Sequence, residues 1–232
     1  MTMRGKFITI EGTEGVGKTT NIQFIQAWME KNQLAYACTR EPGGTPFAEQ
    51  IRELLLAPRE ESVSNTAELL LMFVARAQHL NQVIEPMLSE GAWVLCDRFT
   101  DATYAYQGAG RNMREDLITE LEVLVQGSLR PDLTLILDIP VELGLKRAGQ
   151  RSTPDRFELE QLEFFERVRN RYLQIAEENP QRCVIIDASL SLNGVQKQIA
   201  TVLNGFLAQS LDSSSNGAVE NSPEAPLIGE KT

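Results

Sequence analysis

The residues whose types and spacing most clearly suggest chemistry are the eight from Gly12 to Thr19, which follow the pattern G-x-x-x-x-G-K-[ST]. They follow an apolar run at 7–10 and precede a stretch of helical periodicity, the strand–loop–helix context of a phosphate-binding loop. The alternative is a glycine-rich turn that matches the pattern by chance. This alternative is disfavoured because all fixed positions of the pattern are occupied and a strand and a helix flank them. The predicted nucleotide-binding residues are Gly12, Thr13, Glu14, Gly15, Val16, Gly17, Lys18 and Thr19.

The loop has a physical explanation. Its glycines let backbone amides approach a polyphosphate closely, and the following helix presents its positive end to the same anion. Lys18 is expected to reach the β- and γ-phosphates, and Thr19 offers a hydroxyl to Mg²⁺. Asp97, at the end of an apolar strand, has the form of a Walker B carboxylate and is the second expected metal ligand.

A second apolar run, at 133–137, also ends in an aspartate, Asp138. An apolar run before an acid therefore does not identify the metal site by itself. Arg98 directly follows Asp97 and favours the first site, because an arginine there can clamp a phosphate with two hydrogen bonds.

Several arginines could bind an anionic acceptor of the phosphoryl group, namely Arg40, Arg52, Arg76 and Arg98. Arg40 and Glu41 end the second predicted strand, at the same edge as the phosphate loop, where a solvated ion pair is the alternative interpretation. A basic segment broken by Gly and Pro lies at 146–156 and is typical of a mobile lid over a triphosphate. A solvated basic loop is the alternative there.

Two stretches carry groups that could recognise a nucleotide base. Phe73 precedes Arg76 by one helical turn, so a ring and a guanidinium could meet a flat base, although such a stripe is more often core. Thr103 and Gln107 lie in a polar, aromatic stretch suited to a base edge, or in an ordinary loop closed by Gly108.

The elements that must position these residues alternate between strand and helix patterns. Continuous apolar runs at 7–10, 34–38, 93–96, 133–137 and 184–186 predict a five-stranded parallel sheet with helices on both faces. Helices are expected at 46–56, 65–88, 115–126, 158–178 and 192–208, and Asn65 is the expected cap of the helix at 65–88. Right-handed crossovers then bring the carboxyl ends of all strands to one edge.

Composition limits the function. The 232 residues are 42% hydrophobic and 23% charged, which predicts one globular domain at 1–209 and a disordered tail at 210–232. A net charge of −10 argues against binding a nucleic-acid polymer. Strand-sized apolar runs and no signal-peptide pattern predict a cytoplasmic protein without membrane spans. The three cysteines are expected to be buried thiols, and His79, the single histidine, to be structural.

A phosphate loop specifies a nucleotide and not a reaction. GTPases would need an Asn-Lys-x-Asp stretch, which this chain lacks, and motor or assembly ATPases usually need a larger module or a basic surface. A small kinase with an anionic acceptor remains.

Several segments resemble the signatures of the bacterial thymidylate kinase family. At 11–20, 39–45, 97–99, 105–108 and 130–134 they read EGTEGVGKTT, TREPGGT, DRF, AYQG and RPDLT. The resemblance spans roughly residues 5–208 and implies a P-loop NTPase fold with a short basic lid at about 147–157. It also implies transfer of the γ-phosphoryl group of ATP to dTMP with Mg²⁺, and a homodimer packed through helices.

The same resemblance implies roles for the acceptor arginines. Arg98 and Arg40 are expected to hold the dTMP phosphate, with Arg52 beside them and Glu41 orienting an arginine or a water. No strong general base is needed, because a nucleotide monophosphate with a second pKa near ~6 is already ionised at neutral pH. Catalysis is then alignment and charge neutralisation.

For the base, the resemblance implies that Phe73 packs near thymine, Arg76 bonds its edge, and Thr103 and Gln107 read the remaining polar atoms. Several members of the family carry the aromatic residue one position earlier, where this chain has Met72. Whether Met72 or Phe73 contacts the ring, and how dTMP is distinguished from dUMP, are left open.

Some relatives carry an arginine inside the phosphate loop, whereas this chain has Glu14 there and arginines in the lid. The resemblance then implies that Arg151 meets the transferring phosphate, with Arg147 and Arg156 in reserve. The expected catalytic residues are Lys18, Arg98, Arg151 and Glu14.

Two alternatives stay open. A deoxynucleoside kinase would phosphorylate a neutral sugar hydroxyl and would need Glu41 as its base. A non-catalytic regulator would bind ATP without turnover in the presence of any monophosphate.

Overall fold

Five parallel strands form a sheet in the computed structural model, which describes residues 3–149, 156–158 and 160–216. They are β1 (Phe7–Glu11), β2 (Tyr36–Arg40), β3 (Trp93–Asp97), β4 (Leu133–Asp138) and β5 (Cys183–Asp187). Their spatial order is β2-β3-β1-β4-β5, which confirms the predicted parallel sheet. Asp97 pairs in register with both Ile10 and Arg40, so the carboxyl ends of β1, β2 and β3 lie side by side.

Helices connect the strands and cover the sheet. They are α1 (Lys18–Lys31), α2 (Pro46–Leu56), α3 (Asn65–His79), α4 (Glu85–Ser89), α5 (Thr100–Thr103), α6 (Glu115–Gln126), α7 (Val141–Ala148), α8 (Leu162–Glu178) and α9 (Leu192–Asn216). Two π-helical segments, Leu80–Ile84 and Tyr104–Gly110, continue α3 and α5. The prediction for 115–126 coincides with α6.

The two faces of the sheet pack against different helices because successive strand residues point in opposite directions. Ile8, Ile10 and Leu135 share a buried cluster with residues of α1 and α9. On the other face, Phe7 packs with residues of the Leu80–Ile84 segment and α4, and Ile136 packs with α8. Glu11 belongs to this second face and is completely buried.

Some element boundaries differ from the sequence predictions. β2 begins two residues later than expected, because the amide of Leu34 bonds the carbonyl of Met29 in the turn after α1. The cap of α3 is Ser64, whose hydroxyl accepts from the amide of Ala67, so the prediction of Asn65 was wrong. The predicted helix 65–88 is interrupted by the π-helical segment just before Pro86, a residue with no N–H to donate.

The C-terminal helices also differ from their predicted limits. α8 begins at Leu162 and not at 158, since residues 156–158 form a turn. α9 continues to Asn216, beyond the expected end at 208, because a helix with a packed segment can propagate into a polar stretch. The remainder of the predicted tail, 217–232, lies outside the described residues.

Cys96 and Cys183 are buried thiols as predicted, whereas Cys38 is exposed because it lies on β2 at the edge of the sheet. Among the described residues, no helix combines the length and the apolar composition needed to span a membrane.

Candidate active site

A cavity of about 310 Å³ opens at the carboxyl ends of β1, β2 and β3. Residues 14–19 of the phosphate loop line it, together with side chains that follow β2 and β3 and side chains of α2 and α3. The predicted site residues in its lining are Glu14, Gly15, Val16, Gly17, Lys18, Thr19, Glu41, Arg52, Arg76, Asp97, Arg98, Thr103 and Gln107. Gly12, Thr13, Arg40 and Phe73 are predicted site residues that do not line it.

The phosphate loop depends on close backbone packing. Gly15 has a φ of +72°, and an added Cβ would lie 1.9 Å from the carbonyl oxygen of Gly144 on α7. Gly17 caps α1 with a φ of 92° and contributes no side-chain acceptor. The amides of the first turn of α1 are therefore left for an anion at the positive end of this helix.

Lys18 lies between the loop and β3. Its Nζ donates to the carbonyl oxygen of Gly12 at 3.4 Å and is 3.9 Å from Oδ1 of Asp97. Burial lowers the pKa of Lys18, and the nearby charge of Arg98 lowers it further. A partly dehydrated ammonium of this kind interacts strongly with a phosphate that enters the cavity.

The residues present fit a magnesium ion. Oδ1 of Asp97 is buried and has no hydrogen-bond partner in the described part of the chain, and Thr19 lines the same cavity. Carboxylate and hydroxyl oxygens are the ligands that Mg²⁺ prefers. The described residues contain no group of three or more His, Cys, Asp or Glu side chains arranged for a metal. Mg²⁺ typically has only one or two protein ligands when phosphates supply the others.

Arg98 occupies a left-handed backbone turn, with a φ of 69°. The turn is held by its own amide, which bonds the carbonyl of Ile10 at 3.0 Å, and by the next amide, which bonds Oε1 of Glu11 at 2.7 Å. Its Nη2 donates to Oε1 of Glu14 at 3.0 Å, and its guanidinium lies 4.6 Å from the ring centroid of Tyr106. The strained turn thus delivers a fixed guanidinium to the cavity.

Arg52 and Arg40 lie in different surroundings. Nη1 of Arg52 donates to the carbonyl oxygen of Pro42 at 2.9 Å. Burial lowers the pKa of Arg52, and the positive charge of Arg40 adds to that effect. Arg40 is 52% exposed and pairs with Glu49 at 2.7 Å, so the alternative of an Arg40–Glu41 ion pair was wrong. The structure brings Arg52, but not Arg40, into the cavity lining.

Glu41 is a buried anchor for Arg76. Its Oε2 accepts from Nε of Arg76 at 2.7 Å, and its Oε1 lies 3.1 Å from Nδ1 of His79. Nη2 of Arg76 donates to the hydroxyl of Thr103 at 2.9 Å, whereas its Nη1 is buried without a partner among the described residues. One donor of Arg76 is therefore left for a ligand.

Gln107 lines the same cavity as Arg76. Its Nε2 donates to Oε1 of Glu68 at 2.8 Å. Met72 lines the cavity, while Phe73 is 2% exposed, packs with Leu69 and lies under the guanidinium of Arg76 at 4.8 Å. The helical register of α3 thus places Phe73 behind Arg76 and Met72 at the cavity.

The lid is described only in part, and Arg151 lies outside the described residues. Nη1 of Arg147 donates to the carbonyl oxygen of Ala188 at 3.3 Å. Arg156 donates to Glu68 and, through Nε, to the carbonyl oxygen of Leu55 at 2.8 Å. Neither Arg147 nor Arg156 is in the cavity lining, although the neighbouring Phe157 and Glu158 are.

Sequence reasoning missed several residues that hold the site together. Glu11 accepts from the hydroxyl of Tyr172 at 2.7 Å, and Tyr172 accepts from Nη1 of Arg98 at 3.2 Å. Burial, together with the negative charge of Asp101, raises the pKa of Glu11 from 4.5 to about 8. Glu68 is the other missed acid, and the signal for both was an acid within an apolar segment.

Known proteins resemble this chain over most of its length. A family model described as thymidylate kinase matches residues 10–199. A thymidylate kinase of Teredinibacter turnerae is 58% identical over 205 residues, covering 88% of this chain and 100% of that protein. One of Pseudomonas putida is 57% identical over 205 residues, covering 88% and 98%. A crystal structure of thymidylate kinase from Ehrlichia chaffeensis aligns with a TM-score of 0.71 and 32% identity, covering 86% of this chain and 99% of that chain.

These matches confirm the resemblance found in the motifs, and residues of four of the five matching motifs line the cavity, whereas the motif at 130–134 does not. The chain therefore belongs to the thymidylate kinase family and is an enzyme that phosphorylates dTMP to dTDP, with ATP as the phosphoryl donor of that family.

Proposed function

We propose that the residues of this one cavity perform the reaction by direct in-line transfer from Mg·ATP to the phosphate of dTMP. The observation that carries the proposal is the buried Nη1 of Arg76, which has no hydrogen-bond partner in the described part of the chain and lies in a residue lining the same cavity as the phosphate loop. A buried donor with no partner implies a ligand acceptor. The cavity therefore offers a hydrogen-bond donor of Arg76 to the base of the acceptor and the phosphate loop to the phosphates of ATP.

Base recognition uses a donor and an acceptor. Arg76 offers Nη1, and Gln107, whose nitrogen is committed to Glu68, offers its carbonyl oxygen. Thymine has a carbonyl oxygen next to an N3–H, which complements this pair. The buried hydroxyl of Thr103 orients Arg76, and Met72 rather than Phe73 contacts the ring.

The acceptor phosphate is held by Arg98 and Arg52, with Arg40 reaching it from the rim. Glu14 keeps Arg98 aligned until the anion arrives, since it bonds the same guanidinium at 3.0 Å. Glu41 is committed to Arg76 and His79, which supports an orienting role and disfavours its use as the base of a nucleoside kinase. Because the acceptor is already ionised, no proton needs to be removed.

Asp97 and Thr19 would hold Mg²⁺ together with the nucleotide phosphates. Bound there, the ion would neutralise negative charge on those phosphates. Lys18 stabilises the charge on the transferring group from the loop side. Arg151 remains the proposed lid residue at that group, a role that stands on the family resemblance.

We also propose a homodimer and a cytoplasmic location. Exposed apolar side chains on α3 and α6 support self-association through helices, among them Leu70, Val74, Leu117, Val123 and Leu124. Both proposals rest mainly on the family resemblance.

The test is ADP release from Mg·ATP with dTMP, dUMP, dCMP, dAMP, dGMP or thymidine as acceptor. Turnover with dTMP and little with thymidine is expected, and preferred use of thymidine would contradict the proposed roles of Arg98 and Arg52. Asp97→Asn is expected to raise the Mg²⁺ concentration that gives half the maximal rate about tenfold or more. An unchanged Mg²⁺ dependence would remove Asp97 from the metal site.

A further inference from the structure

Glu68 is a completely buried acid on α3 that accepts hydrogen bonds from three side chains. Its Oε1 accepts from Nε2 of Gln107 at 2.8 Å and from Nε of Arg111 at 3.3 Å. Its Oε2 accepts from Nη2 of Arg111 at 3.3 Å and from Nη2 of Arg156. The carboxylate thus joins a cavity-lining side chain to two cations, one of which, Arg156, belongs to the lid segment.

This contact fixes the polarity of Gln107. A carboxylate only accepts hydrogen bonds, so the amide must turn its nitrogen toward Glu68. The carbonyl oxygen, on the other branch of the amide, is then the group that Gln107 offers to the cavity it lines. A partner able to both donate and accept would not impose that orientation.

We propose that Glu68 is a positioning residue that fixes the amide of Gln107 and thereby makes the site select dTMP over dCMP. The inference rests on the base recognition proposed above. Thymine carries a hydrogen on N3 and donates to a carbonyl oxygen, whereas N3 of cytosine is an acceptor. An oxygen fixed in that place therefore bonds thymine and opposes cytosine.

Glu68→Gln is the informative substitution because it is nearly isosteric and leaves a single oxygen. Two charged donors, from Arg111 and Arg156, meet at the position of Oε2, whereas Oε1 receives one charged donor, from Arg111, so the remaining oxygen is expected at the position of Oε2. The new amide nitrogen then occupies the position of Oε1 and donates to Gln107. Gln107 must rotate its amide to accept that bond, which turns its own nitrogen toward the cavity.

The experiment measures initial rates of the full chain with Mg·ATP, varying dTMP or dCMP. In E68Q the ratio of kcat/KM for dTMP to that for dCMP is expected to fall at least about tenfold, mainly through a higher KM for dTMP. Glu160→Gln is the matched control, since Glu160 pairs with Arg111 but makes no described contact with Gln107. The control is expected to keep the ratio of the unsubstituted enzyme.

An unchanged ratio in folded E68Q, or an equal loss of activity with both nucleotides, would overturn the inference. If E68Q does not fold, Glu68→Asp keeps the buried negative charge and shortens the side chain by one methylene. The long side chains of Arg111 and Arg156 can follow the carboxylate, whereas the hydrogen bond to the shorter Gln107 is expected to lengthen or break. A lower ratio in E68D supports the inference, and an unchanged one overturns it. If the unsubstituted enzyme does not prefer dTMP to dCMP, the proposed base recognition fails first and the inference fails with it.

Discussion

Arg76 shows how much a single residue of this site depends on its geometry. It uses one nitrogen for Glu41 and another for Thr103, and it keeps a third for the cavity. Such a division requires the planar fork of a guanidinium, which an ammonium group does not have.

We therefore expect Arg76→Lys to weaken dTMP binding. Lysine can keep the buried Glu41 paired but cannot also bond Thr103 and the base in fixed directions. One lost charged hydrogen bond is worth about 1.5–3 kcal/mol, so kcat/KM for dTMP should fall about 10- to 100-fold. The loss should appear in KM, with kcat nearly unchanged.

Arg169→Lys is a matched control for that substitution. Arg169 also forms a two-pronged pair, with Asp138, but it does not line the cavity. Its replacement should leave KM for dTMP unchanged. If R76K kept the KM of the unsubstituted enzyme, Nη1 of Arg76 would not be the base contact.

Glu11 provides a prediction about pH. Its pKa is raised from 4.5 to about 8 in the folded chain, mainly by burial. Between these values the folded state keeps the proton while the unfolded state loses it, so the contribution of Glu11 to stability is full below pH 4.5 and declines as the pH rises toward 8. The amide that Glu11→Gln introduces does not titrate. The free energy of unfolding of E11Q minus that of the unsubstituted enzyme should therefore increase with pH.

Urea denaturation of both proteins at pH 5, 6.5 and 8 would measure this difference. An increase toward pH 8 is the expected outcome, and a difference that is constant with pH would show that Glu11 does not titrate in this window.

At the scale of elements, α7 and the phosphate loop meet backbone to backbone. A Cβ at Gly144 on α7 would lie 2.5 Å from the carbonyl oxygen of Glu14, so the loop would have to move. Gly144→Ala should therefore raise KM for ATP and lower stability by about 1–3 kcal/mol, the usual cost of overpacking. ATP-dependent rates and thermal unfolding would measure both effects.

Gly205→Ala is the control, and its expected effect on stability has the opposite sign. A Cβ at Gly205 on α9 would meet no atom of the described residues within 4 Å. It should stabilise the protein by about 0.4–1 kcal/mol, because alanine restricts the unfolded chain. Equal stability effects of the two substitutions would mean that the contact between α7 and the loop is not tight.

The elements were predictable to different degrees. Continuous apolar runs predicted all five strands, because a parallel sheet buried on both faces has that pattern. The partners of buried acids were not predictable: Glu41 meets Arg76 and Glu68 meets Gln107 across separations of 35 and 39 residues, and spacing carries no information about such contacts. The choice between Met72 and Phe73 depends on the rotation of α3, which packing against α2 and α6 sets.

Exposed apolar side chains on α3 and α6 mark a candidate surface for association of the whole protein with a partner. Leu70 and Val74 lie one turn apart on α3, and Leu124 lies on α6, which packs against α3. Exposed apolar side chains on adjacent helices are typical of an interface. A second copy of the chain is the proposed partner. Formation of the proposed dimer must overcome the repulsion between two protomers that each carry a net charge of −10.

Leu70→Glu should therefore convert the proposed dimer to a monomer, because it would place a charge in the proposed apolar interface and add to the repulsion. Leu190→Glu is the control that distinguishes disruption of the interface from general charge repulsion. Leu190 is also 48% exposed and would receive the same charge, but it lies between β5 and α9. Sedimentation at micromolar concentration should give a monomer for L70E and a dimer for L190E. Monomers in both variants would indicate general charge repulsion, and a monomeric unsubstituted enzyme would contradict the homodimer itself.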